Sequence, residues 1–101
     1  MKQTSGSRKK PSVNGLRKVK FALSAKPGCK VYVAGTFNDW SATRNRMRFN
    51  KRNGNYATTL SLPPGTYEYK FILDDEWLVD PNCESWVNNS FETLNSVLTV
   101  S

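Results

Sequence analysis

Tyr67, Tyr69, Phe71 and Leu73 alternate with Thr66, Glu68, Lys70 and Ile72. This period of two predicts a strand with the aromatic face in a core and the other face toward solvent. Asp74-Asp75 supplies a two-residue turn, because Asp tolerates positive φ better than most residues. The turn sets a hairpin register with Leu73 opposite Glu76, Ile72 opposite Trp77, Phe71 opposite Leu78 and Lys70 opposite Val79. Directly opposed residues share a face, so Trp77 falls outside the core and beside Lys70, about 7–8 Å away as a diagonal neighbour. An indole there serves either a ligand that it shares with the ammonium, or a sheet edge or second domain, as scattered exposed apolar residues commonly do.

Short alternating runs separated by turn residues continue from Leu16 to the C-terminus, the pattern of an all-β domain. Val19, Phe21 and Leu23 mark a first strand, which Lys26-Pro27-Gly28 ends. Val31, Val33 and Gly35 mark a second, leading into the polar loop Asn38-Asp39-Trp40-Ser41. Strands near Met47 to Phe49 and at Tyr56 to Leu62 flank an Asn- and Gly-rich turn, and Pro63-Pro64-Gly65 opens the hairpin. A longer connection after Asp80-Pro81 leads to a last strand at Asn95 to Val100. If Leu94, Leu98 and Val100 point inward, Thr93, Asn95, Val97 and Thr99 share the outer face. Asn95 is then exposed, as a ligand-binding amide or as a turn residue. About seven strands of this kind predict an immunoglobulin-like antiparallel β-sandwich with no helix.

The chain of 101 residues has room for one modest core and not for a core plus a large catalytic cleft, which favours a binding module over an enzyme. Its charge of +7 is concentrated at the front: nine basic residues and no acidic one precede Val31, whereas residues 31–101 carry six basic and eight acidic. Residues 1–15 predict a disordered basic extension, and residues 16–101 the folded domain. The cluster Arg44, Arg46, Arg48, Lys51 and Arg52 either contacts phosphate or solvates a hairpin. No apolar run is long enough for a membrane span and no signal peptide is evident, so a cytoplasmic setting is expected. Cys29 and Cys83 fit it as free thiols, with a disulfide as the alternative. With two cysteines and no histidine, no metal site, cofactor or ordinary general base is expected.

Tryptophans outside regular core positions, a lysine and an amide suit a sugar chain, whose C–H faces pack on aromatic planes and whose hydroxyls need directional hydrogen bonds. Nucleic acid would ask for a basic groove, which the slightly acidic stretch of residues 31–101 does not favour. GTFNDW at 35–40, LPPGTYEYKFILDDEW at 62–77, DP at 80–81 and NSVLTV at 95–100 resemble carbohydrate-binding module family 48, over roughly Val19 to Val100. That family includes the glycogen-binding domains of AMP-activated protein kinase β subunits and the N-terminal domains of isoamylases and branching enzymes. The resemblance implies a sandwich that binds α-1,4-linked glucan without catalysing its reaction. It implies Trp40 and Trp77 as indole platforms, Lys70 and Asn95 as hydroxyl-binding groups, and Phe91 and Thr93 as further contacts. Trp86 has no counterpart and is expected either as buried packing in the 81–91 connection or as an extra sugar contact. Expected partners are an α-glucan or malto-oligosaccharide and, additionally, a protein. Two other functions compete: a glycosidase built on Asp74, Asp75, Glu76 and Asp80, and an interaction module that binds nucleic acid or an acidic protein through the basic extension.

Overall fold

A computed structural model describes residues 15–89 and 93–101. Eight short strands form two antiparallel sheets, and no α-helix occurs among the described residues. Strands β1 (Arg17–Ser24), β4 (Asn55–Leu62) and β3 (Arg48–Asn50) make a three-stranded sheet in the order β1-β4-β3. The second sheet runs β2 (Val31–Gly35), β5 (Gly65–Leu73), β8 (Leu94–Val100) and β7 (Trp86–Asn88), with β6 (Glu76–Leu78) also paired to β5. The sandwich expected from the alternating runs is therefore present.

Phe21, Leu23, Val31, Val33, Met47, Tyr56, Tyr69 and Phe71 form the core between the sheets. The alternation of β5 decides which side of its sheet they occupy: Tyr69 and Phe71 are buried, while Glu68 and Lys70 face outward. Phe21 and Tyr69 meet edge to face across the sandwich, with centroids 5.1 Å apart. Such aromatic pairs contribute about 0.5–1.5 kcal/mol beyond the area that they bury.

The hairpin has the expected register, with Leu73, Ile72 and Phe71 opposite Glu76, Trp77 and Leu78. Asp74 and Asp75 both adopt positive φ, 47° and 71°, as a tight turn matched to the strand twist requires. A second device holds this turn in place. Lys30 N donates to Asp74 Oδ1 (2.8 Å) and Asp74 N donates to Lys30 O (2.9 Å), and the Lys30 N–H holds the Asp74 carboxyl below its ordinary value.

The described residues form eight strands, in keeping with the expected seven or so, the connection after Asp80 adding the short β7. Two expectations are corrected. Trp86 is 46% exposed and does not serve as buried packing. It pairs with Ser96, which faces the interior, so it points to the side of the sheet opposite Asn95. Leu94, expected inward, is 44% exposed, whereas Asn95, expected in solvent, is only 5% exposed. Its cover comes from neighbouring polar side chains rather than from the core. Cys29 and Cys83 are free thiols.

Candidate functional site

A groove of about 500 Å³ lies on the outer face of the five-stranded sheet. Trp40, from the loop after β2, and Trp77, on β6, line it together with Lys70 of β5 and Thr93 and Asn95 at the start of β8. Residues far apart in sequence meet there because β5 lies between β2 and β8, and β6 folds back along it. Thr36, Glu68 and Asn89 complete the described lining. Phe91, the sixth residue that the resemblance points to, lies outside the described residues.

The loop that carries Trp40 is held by a buried asparagine. Asn38, 4% exposed, accepts from Gly35 N (3.0 Å) and Ser41 N (3.3 Å), and donates to Val33 O (3.1 Å) and Asn45 Oδ1 (2.7 Å). These four bonds close the FNDW loop on itself. Trp40 N donates to Gly35 O at 2.9 Å, and both Asp39 and Trp40 have positive φ, 57° and 59°. A bulky side chain seldom adopts this backbone region. Trp77 needs no such device, since the hairpin register alone puts its ring, 43% exposed, on the outer face.

Polar side chains between the indoles bond to one another. Lys70 Nζ donates to Thr93 Oγ1 at 2.8 Å, Asn95 Nδ2 donates to Glu68 Oε1 at 3.0 Å, and Asn89 Nδ2 reaches both Thr93 Oγ1 (2.7 Å) and Asn95 Oδ1 (3.0 Å). Asn38, Glu68 and Asn89 were not picked out from the sequence. Glu68 had a signal, because it stands two residues before Lys70 on the same face of one strand. Asn89 had none, since it sits in a connection without periodicity.

Little in this arrangement suits bond cleavage. Glu68 is the carboxylate on the described lining, whereas a glycosidase pair needs two across a cleft. Asp74 is engaged with Lys30, and Asp80 is buried under Tyr69. Among the described residues no group of His, Cys, Asp or Glu could hold a metal ion. An aromatic clamp with a hydrogen-bonding floor is equipped to hold a flat, hydroxylated ligand.

Residues 18–101 match the family described as the glycogen recognition site of AMP-activated protein kinase. The chain belongs to this family. The 5'-AMP-activated protein kinase subunit beta-1 of Sus scrofa is 34% identical over 73 residues, 72% of this chain and 56% of the pig protein. The beta-1 subunits of Bos taurus and Homo sapiens are 36% and 34% identical over the same length, covering 25% of each. This glycogen-recognition domain thus spans between a quarter and just over half of these relatives. A maltogenic amylase from S. marinus contains a similar fold, with a TM-score of 0.65 and 26% identity over 86% of this chain and 14% of that enzyme. Among the described residues no helix is long and apolar enough to cross a membrane.

Proposed function

We propose that this glycogen-recognition domain is a non-catalytic binder of α-1,4-linked glucan that brings a larger assembly to glycogen or starch. The supporting observation is the meeting of Trp40, Lys70, Trp77, Thr93 and Asn95 around one groove, in a chain whose family is a glycogen recognition site. In this proposal the two indoles pack on the apolar faces of successive glucose units, and Lys70, Thr93 and Asn95 bond their hydroxyls. Phe91 belongs to the proposal through the resemblance of its surrounding sequence alone. A cytoplasmic setting and a protein partner complete it, supported by the free thiols and by the kinase subunits among the relatives.

An open groove leaves much of a flexible, hydrated chain in water, and ordering that chain costs free energy, so a single site binds weakly. A branched polymer offset this by presenting many ends to many sites. Trp77→Ala tests the proposal. Native affinity electrophoresis in glycogen should show retention of the parent domain and none of the variant, with thermal unfolding still cooperative because the ring is exposed. Equal retention of the two would sink the assigned face. The rival reading, in which the basic extension binds nucleic acid or an acidic protein, concerns residues that lie mostly outside both the described structure and the family match.

A further inference from the structure

We infer that Asn89 and Glu68 set the hydrogen-bond polarity of the groove's polar wall, so that Lys70, Thr93 and Asn95 all meet the ligand as donors. The ligand in this inference rests on the glucan reading, but the wiring does not. Asn89→Asp is the substitution that probes it.

The wiring follows from groups whose role is fixed at both ends. Thr93 N–H can only donate, and it reaches Asn89 Oδ1 at 3.1 Å. That bond orients the Asn89 amide, which leaves its nitrogen to give hydrogens to Thr93 Oγ1 at 2.7 Å and Asn95 Oδ1 at 3.0 Å. The Asn95 oxygen is thereby turned toward Asn89. Its nitrogen then donates to Glu68 Oε1 at 3.0 Å, a carboxylate oxygen that only accepts. A single direction runs through the relay, from the Thr93 backbone just before β8 to the carboxylate on β5.

The Thr93 hydroxyl completes the pattern. Its oxygen receives hydrogens from Lys70 Nζ at 2.8 Å and from Asn89 Nδ2, which occupies both lone pairs. Its own hydrogen must therefore be donated. Asn95 Nδ2 retains an N–H beyond the one given to Glu68, and the Lys70 ammonium retains N–H groups beyond the one given to Thr93. These three side chains line the groove, so the wall asks a ligand for oxygen lone pairs. The hydroxyl and ring oxygens of a neutral glucan supply them. A directed relay of this kind also keeps the amides from rotating, so that less order has to be imposed on binding.

Asn89→Asp separates this role from simple loop closure, because it keeps volume and the acceptor for Thr93 N–H while it replaces the donated hydrogens with a charged acceptor oxygen that reverses the polarity at this point of the relay. Thr93 can then turn its hydroxyl inward, and the Asn95 amide loses the partner that orients it. Calorimetric titration with maltoheptaose should show affinity about tenfold weaker, the scale of one or two lost hydrogen bonds, with the thermal midpoint nearly unchanged. In the ligand-free protein, the Asn95 side-chain amide signals in a nitrogen-15 correlation spectrum should shift. Glu68→Leu removes the relay's other end and should weaken binding to a similar extent, which preserves the test if Asn89→Asp does not fold. Parental affinity in a folded variant, or unmoved Asn95 signals, overturns the wiring. Failure of the parent domain itself to bind maltoheptaose would instead defeat the glucan reading, while the ligand-free amide signals still decide the relay.

Discussion

Asp80 illustrates how one buried carboxylate organises the backbone behind the groove. Tyr69 Oη donates to its Oδ2 at 2.6 Å, Asn82 N donates to its Oδ1 at 2.9 Å, and Asp80 N donates to the buried Ser96 Oγ at 2.8 Å. The DP motif thus fixes the exit of β6 against both β5 and β8. Burial, and then the Asp80 carboxylate, push the Tyr69 phenol far above its ordinary value of 10.0. A folded-state value above the unfolded one gives stability that is complete below about pH 10 and erodes as pH rises past it. Urea midpoints should therefore fall above about pH 10, and Tyr69→Phe should flatten that fall. The same variant should lose about 1–3 kcal/mol at neutral pH, because it leaves a buried oxygen without its partner. An unchanged alkaline slope would exclude Tyr69 as the titrating group.

Strands with a clear period were legible in advance, and so was the hairpin, because two consecutive Asp residues and the alternation in β5 allow one register. Strand β7 was not. Its three residues, Trp86, Val87 and Asn88, show no alternation and owe their conformation to pairing with β8. The groove was partly legible for a related reason: Trp77 and Lys70 share a face through strand geometry, whereas the cover over Asn95 comes from Asn89 in an aperiodic connection. Gly35, at the end of β2, marks another feature hidden from the pattern. Its backbone is extended, with φ of −171°, so chirality does not demand glycine. Space does, since an added Cβ would collide with the Glu68 carbonyl oxygen, the Phe37 ring and Tyr69 Cβ. Gly35→Ala should push β2 and β5 apart and cost about 1–3 kcal/mol, measurable by chemical denaturation. Wild-type stability in that variant would mean that the two strands can separate freely.

Across the whole domain the two sides of the five-stranded sheet are put to different uses. One carries the core and, past the cover of the other sheet, the exposed Trp86 and Leu94. The outer side carries the groove. Trp86→Ala should therefore leave retention on glycogen at the parental level, in contrast to Trp77→Ala, although both remove an exposed indole. Loss of retention in Trp86→Ala would place the ligand on the wrong side of the sheet. The groove's own charges suit the same polarity of use, because its described lining carries one acidic and one basic side chain, Glu68 and Lys70, and so presents little net field to a neutral polymer.

The backbone of Trp40 carries a further consequence. Left-handed geometry costs an L-residue on the order of 1–2 kcal/mol, and glycine is exempt. Trp40→Gly should consequently melt at a higher temperature than Trp40→Ala, reversing the usual ranking of those residues, while neither variant holds glycogen. Selection for thermal robustness alone would drive this position away from tryptophan. Under the proposed glucan-binding role, its presence is a trade in which the loop surrenders stability for grip.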